Sequence, residues 1–394
     1  MKILHLIASV APESGGTVEY ARIMAEAHAV LGHQSTFVTL DRPEAPMLQS
    51  MPFKVLAVGP AKPRATAIKR YADAVAAAAK DADVAVIHGL WHVANMAGLK
   101  PLEAANVPWL TFPHGMLDPY FRTAKPIKHW LKQIAWAWRQ GRALSRAHSV
   151  LFTCEEERRL AKNAFWGHQN YQSKVVAFCA SDLTIPDADF TEGQRAFAGQ
   201  VPNLNGRKYL LFLSRIHPKK ACNSLIQAFA NVSDTFKDID LVFAGPNQVG
   251  WQSELEMLAH NLGVDKRVHW AGMTKGAAKA AAFNNAEAFV LPSHQENFGI
   301  VVAEALSVSL PVLISHKVNI WREIVEDGAG IASKNTVEEI TRVLHEFLSL
   351  EDEKRVMMKS CTRPCYDKRF SVESAAHDLL SVLQEAVKSR GTKA

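Results

Sequence analysis

Short, continuously apolar runs separated by amphipathic helical stretches recur along most of this chain, and few folds accommodate that pattern. The first group comprises KILHLIA (2–8), STFVTL (35–40), KVLAVG (54–59), VAVIHG (84–89), PWLTF (108–112), SVLFTC (149–154) and KVVAF (174–178). A strand that is apolar at every position, rather than at alternate ones, is buried on both faces. That condition is met by a parallel sheet covered on each side by helices. Residues 180–207, ASDLTIPDADFTEGQRAFAGQVPNLNGR, lose the rhythm and read as a linker. It returns with YLLFLSRI (209–216), DLVFAG (240–245), RVHWAGM (267–273), AFVLPS (288–293) and PVLIS (311–315), and from about residue 336 the chain reads as helix. The pattern predicts an α/β protein of two doubly wound, Rossmann-like parallel-sheet domains facing a cleft. Residues 1–180 form the first and 208–369 the second, with a linker over 181–207. A terminal helix over 370–390 is expected to complete the first domain.

Length agrees with two domains, since 394 residues exceed what one ordinary core organises, at roughly 100 to 200 residues per domain. The five cysteines, Cys154, Cys179, Cys222, Cys361 and Cys365, are sparse and odd in number, with no paired C-x-x-C units for zinc. A reducing, cytoplasmic setting fits them, and CTRPC (361–365) reads as a helix end rather than a redox or metal site. The opening MKILHLIASVAPESGG has the charge and apolar run of a signal peptide. It is read instead as the first buried strand, because an amphipathic helix follows without a break. Nowhere do about 18 apolar residues run together, so no membrane-spanning segment is expected.

In open parallel sheets ligands bind beyond the carboxyl ends of the strands, where helix N-termini offer free N–H groups. Three segments fall there. PESGGT (12–17) joins a strand to a helix through Gly15 and Gly16; it is a phosphate-approaching loop or simply a tight turn. In SRIHPKKACNSL (214–225), Arg215 follows a strand and Lys220 opens a helix, a pair that suits a diphosphate without a divalent metal. A solvated basic turn is the alternative. The third, SHQENFGIVVAEALSVSLPVLIS (293–315), is mostly apolar yet carries Glu296 at a strand exit and Glu304 on the next helix. Buried carboxylates need partners, so the two either face a binding site or serve as a cap and an exposed helical charge.

A fourth segment concerns partners. From Pro119 to Cys154 there is no acidic residue, while Lys125, Lys128, Lys132 and Arg139 alternate with Trp130, Trp136 and Trp138. With a net charge of +6 overall, this stretch reads either as a helix lying on an anionic membrane surface or as an internal helix with solvated cations. Basic, aromatic stretches also track nucleic acid, but no helix-turn-helix, zinc or RNA-binding motif accompanies this one, and no nucleic-acid partner is expected.

Taken together, ENFGIVVAEAL followed by PVLIS, the strand-Arg-x4-Lys segment, LVFAGP, RVHWAGM, the early Gly-Gly loop and FPHG (112–115) resemble the family 4 retaining glycosyltransferases, which have the two-lobed GT-B architecture. The resemblance spans about 1–390. It implies that Arg215 and Lys220 neutralise the diphosphate of a nucleotide-sugar donor, and that amides around Phe298, Gly299 and Ile300 bind the same phosphates or the sugar. Glu304 would hold the ribose hydroxyls and Glu296 the transferred sugar. His114 would orient that sugar or stabilise the transition state, while Gly15 and Gly16 close over the diphosphate or acceptor. No metal and no cofactor beyond the nucleotide-sugar co-substrate are implied. The acceptor would be a saccharide or lipid-linked saccharide in cell-surface polysaccharide or lipopolysaccharide synthesis, with the enzyme on the cytoplasmic membrane face. Ala221 departs from the family, which usually has glycine after the lysine, and CASDLTIPD replaces the usual interdomain Pro-Asn-Gly. An epimerase or phosphorylase of the same architecture is the alternative reading.

Overall fold

The structure, a computed structural model, describes residues 1–11, 15–59 and 64–391. The chain divides into two compact units, one of Met1–Phe178 with Val372–Ala394 and one of Cys179–Ser371.

The first unit is built on a parallel sheet of seven strands: β1 (Lys2–Leu6), β2 (Gln34–Thr39), β3 (Lys54–Ala57), β4 (Val84–His88), β5 (Trp109–Phe112), β6 (Ser149–Phe152) and β7 (Ser173–Val175), in the order β3-β2-β1-β4-β5-β6-β7. The opening apolar run is thus an interior strand, paired with β2 on one side and β4 on the other. Strands β4, β5 and β6 are buried at every position, as their unbroken apolar sequences require. Neighbouring side chains on a strand point to opposite faces. Accordingly Phe37 packs with Ile7, Val18 and Ala21, whereas Val38 joins Leu4, Leu6, Tyr71 and Leu99 in a separate cluster. The final helix, Val372–Gly391, belongs to this unit. Its Asp378 carboxylate accepts the Ala177 N–H at 2.8 Å, its Ala376 carbonyl lies 3.1 Å from His28 Nε2, and its Glu385 pairs with Lys174.

The second unit has six parallel strands: β8 (Lys208–Leu213), β9 (Ile239–Ala244), β10 (Val268–Gly272), β11 (Ala288–Leu291), β12 (Val312–Ser315) and β13 (Gly330–Ser333), ordered β10-β9-β8-β11-β12-β13. Phe212, Phe229, Phe243, Phe283 and Phe289 are among its fully buried side chains. In each sheet the strand order reverses once, between β1 and β4 and between β8 and β11. Such reversals open a crevice at the carboxyl edge.

Three features differ from the sequence expectations. Strand β13 was not anticipated: GIAS is a four-residue, mostly half-buried edge strand without a strong apolar run. The linker expected over 181–207 contains a helix, Asp187–Gln200, within the second unit. That helix buries only Gly193 and Phe197, too little to produce a helical apolar stripe. It packs on helix Gly276–Asn284 so closely that a Cβ at Gly193 would come within 2.3 Å of the Ala277 carbonyl oxygen. CTRPC is not a helix end either, because helix Asp352–Arg369 continues through Pro364. All five cysteines are free.

Candidate functional site

In the second unit the charged residues collect on loops leaving the carboxyl ends of β8 and β11. Arg215, just past β8, is exposed and donates through Nη1 to Gln248 Oε1 at 3.2 Å. The chain then makes a single 3-10 turn, Pro218–Lys220, capped by the His217 ring, which accepts the Lys219 N–H at 3.0 Å. This turn points Lys220 inward, where its ammonium forms an ion pair with Glu296. The pair brings together two residues to which the resemblance gave different jobs. Burial, followed by the fields of Arg215, Lys219 and Lys220, lowers the His217 pKa, so the cap is neutral beside a concentration of positive charge.

The loop after β11 is tied to its neighbours through backbone. His294 N–H donates to the Lys219 carbonyl at 2.8 Å, Glu296 N–H to Lys317 at 2.8 Å, and Glu296 accepts Asn319 N–H at 3.1 Å. Gly299 then caps helix Ile300–Ser307 with φ +81°. A side chain there would be strained in conformation and would press on Glu296, Val302 and Val318 at 3.2 to 3.3 Å. Phe298 is buried with its ring edge-on to Phe370, and half-buried Ile300 begins the helix. The first amides of that helix form an N-terminal, partly positive end suited to an anion.

Glu304 lies one turn further and is buried, which removes the exposed-helix reading of this residue. Lys279 donates to its Oε1 at 2.6 Å, and its Oε2 is buried with no hydrogen-bond partner. A carboxylate oxygen out of water and unpaired is costly, and a ligand hydroxyl would complete it.

In the first unit Gly15 caps helix Gly16–Val30, with both glycines exposed; Pro12, Glu13 and Ser14 of the expected loop lie outside the described residues. His114 follows β5 in the left-handed region at φ +50°. The turn is held by Glu157, which accepts Gly115 N–H at 2.6 Å, Thr153 N–H at 2.8 Å and the Thr153 hydroxyl at 2.7 Å. Behind His114 stand two further histidines: His88 Nδ1 is 3.2 Å from His114 Nε2, and His88 Nε2 is 3.1 Å from His5 Nδ1. Burial lowers all three pKa values, that of His88 to about 3, so the rings are neutral near pH 7. His5, His88 and Glu157 were missed from the sequence. The histidines did leave a signal, as polar residues inside the otherwise apolar runs KILHLIA and VAVIHG.

The basic stretch divides between surface and core. Helix Pro126–Ala135 buries no residue and exposes Ile127, Trp130 and Leu131, with Lys125 and Lys128 alongside. A π-helical turn, Trp136–Gln140, follows, leaving Trp138 and Arg139 exposed. Trp136 does not belong to the expected surface: it is fully buried, stacked on Phe165 and donating Nε1–H to the Gly167 carbonyl at 2.6 Å. Lys132 is half-buried, its ammonium 4.7 Å from the centre of the Trp91 ring. No described helix is long and apolar enough to cross a membrane.

Two family models match the chain: the glycosyl transferase 4-like domain over residues 15–176 and the glycosyl transferases group 1 over 194–363. The alpha-D-kanosaminyltransferase of Streptomyces kanamyceticus is 26% identical over 63% of this chain and 63% of its own. The phosphatidyl-myo-inositol mannosyltransferase of Mycobacterium leprae is 31% identical over 31% of each chain. The matched stretches thus span less than two thirds of these relatives. Among solved structures, Anabaena HepE in complex with UDP and glucose aligns over 98% of this chain and 100% of its own, with a TM-score of 0.73 and 18% identity.

Proposed function

The chain belongs to the family 4 glycosyltransferases of GT-B fold, and we propose that it transfers a sugar, with retention at the anomeric carbon, from a nucleoside-diphosphate donor to a saccharide or lipid-linked saccharide. The observation that carries this reading is the buried, unpartnered Oε2 of Glu304, on the helix that Gly299 caps and that follows Glu296, the partner of Lys220. A ribose diol supplies the missing donor. Arg215 and Lys220 neutralise the diphosphate, so the reaction needs no metal, and the amides at Phe298, Gly299 and Ile300 take the remaining phosphate or sugar oxygens. Diphosphate draws Lys220 from Glu296, freeing that carboxylate for hydroxyls of the sugar. His114 orients the sugar, and Gly15 and Gly16 close over the diphosphate or acceptor. Retention proceeds by same-face substitution assisted by the departing phosphate, since no second carboxylate is assigned as a nucleophile. The exposed Ile127, Trp130, Leu131 and Trp138 among lysines and arginines support work at an anionic membrane face, in cell-surface polysaccharide or lipopolysaccharide synthesis.

The two glutamates separate the assignments. Glu304→Gln weakens both nucleoside diphosphate and intact donor by roughly one to two decades, the worth of a hydrogen bond to a charged group, about 1.5 to 3 kcal/mol. Glu296→Gln does not weaken nucleoside diphosphate, and strengthens it to the extent that the competing Lys220–Glu296 pair is gone, while it lowers kcat. Calorimetry with nucleoside diphosphate, paired with kinetics and mass analysis of products, reads both. Equal losses of nucleoside diphosphate affinity in the two variants overturn the division, and free sugar phosphate or an epimerised donor as product overturns transfer.

A further inference from the structure

We infer that His5 and His88 are positioning residues that hold His114 as its Nδ1–H tautomer, so that it offers its ligand an uncharged hydrogen-bond donor. The three rings form a chain in which His88 uses a different nitrogen toward each neighbour, Nε2 to His5 at 3.1 Å and Nδ1 to His114 at 3.2 Å. The nitrogens run in sequence rather than converging, and among the described residues no cluster of three such groups could hold a metal. Each link contains one proton, so the neutral rings choose together. Either all three carry the proton on Nδ1, with each ring donating outward, or all three carry it on Nε2, with each donating inward.

The inner end of the chain decides between these arrangements. His5 Nε2 is buried and has no hydrogen-bond partner. In the inward arrangement it would be an orphaned N–H, the rarer and costlier kind of buried vacancy; in the outward arrangement only a bare lone pair is unmet. Neither aromatic neighbour, Phe37 stacked on His5 or His88 edge to edge with it, offers that N–H a ring face. His5 lies nearly parallel to Phe37, at 10° and 4.4 Å, and to His88 at 19°, so an in-plane N–H points past both faces. The outward arrangement follows, and it ends on His114, the only partly exposed ring of the three. The consequence for catalysis rests on the proposed role of His114 toward the donor sugar. A fixed Nδ1–H donates to a hydroxyl or to an oxygen gaining negative charge, and it cannot accept a proton there as a general base.

Long-range proton–nitrogen spectra of the full chain, labelled with 15N-histidine, distinguish protonated from bare ring nitrogens. Single substitutions, His114→Gln and His88→Asn, assign the signals. Near pH 7 the expected pattern on His88 and His114 is a protonated Nδ1 and a bare Nε2. A protonated Nε2 on His114, alone or with Nδ1, overturns the assignment. His88→Asn replaces a ring committed to donating with a side-chain amide that can accept as well as donate toward His114 Nε2. It should shift the His114 tautomer ratio roughly fivefold toward Nε2–H, the form an unconstrained histidine favours, equivalent to one neutral hydrogen bond of about 1 kcal/mol. An unchanged ratio removes His88 from the role. The same variant should lower kcat while nucleoside diphosphate affinity is retained. Because the spectra are read without substrate, a failed tautomer assignment and a failed glycosyltransferase reading are told apart.

Discussion

Acid should loosen the first unit through the same histidines, and the size of the effect can be worked out for His88. Its pKa falls from an ordinary 6.5 to about 3, because burial penalises the charged ring. A base whose folded pKa is depressed binds fewer protons in the native state than in the unfolded chain below pH 6.5. Stability is therefore intact above that pH and is lost as pH falls toward 3. Each pH unit in this window is worth about 1.4 kcal/mol, so His88 alone removes about 2 kcal/mol between pH 7 and pH 5. His5 and His114 act in the same direction, both lowered first by burial and then by the neighbouring His88. Urea unfolding of the wild type and His88→Phe at half-unit pH steps measures the term, since carboxylates and distant histidines cancel in the difference. The wild type should lose roughly 2 kcal/mol more than the variant over that range, a large share of a typical 5 to 15 kcal/mol. Parallel curves for the two proteins would refute the burial argument.

Transfer should persist in EDTA, because the proposed diphosphate ligands are Arg215 and Lys220; activity lost to EDTA and restored by magnesium or manganese rejects that assignment. Trp136→Ala should cost about 3 to 5 kcal/mol of stability as a core deletion, whereas Trp138→Ala should stay within about 0.5 kcal/mol, both read by denaturant melts. Trp138→Ala should nonetheless weaken binding to anionic vesicles at low salt, and wild-type protein indifferent to vesicle charge would exclude the membrane role. Ala221 sits in the left-handed region at φ +54° and is fully buried. Ala221→Gly therefore trades relief of about 1 kcal/mol of strain against a lost methyl contact of about 0.8 kcal/mol and greater unfolded-chain freedom, leaving melting stability within about 1 kcal/mol.

The two-sheet α/β architecture was legible because burial on both faces writes itself into every residue of β4, β5, β6 and β11. Helix Asp187–Gln200 was not, because its contact is made by backbone at Gly193, and an approach between main chains leaves no apolar stripe. The second-unit site was readable in part, as Arg215, Lys220, Glu296 and Glu304 are charges amid apolar sequence. That Lys220 pairs with Glu296, or Lys279 with Glu304, depends on elements far apart in the chain. The same holds for the histidine relay, whose members sit on β1, on β4 and after β5 and meet only once the sheet is assembled. Trp136 and Trp138, two residues apart, were indistinguishable by composition, and the π-helical turn decides which is core.

The last helix gives this protein an awkward order of synthesis. Every strand of the first unit has been made once Val175 emerges, yet the helix that covers its His28 and caps the Ala177 amide begins only at Val372. At about 5 to 20 residues per second, the nascent first unit waits roughly 10 to 40 seconds with that flank uncovered. The second unit, contiguous from Cys179 to Ser371, is made in full during the wait. Translation therefore imposes a sequence of events in which the domain begun first is finished last, and a ribosome stalled before Val372 releases a chain with an open apolar seam for chaperones or proteases to find.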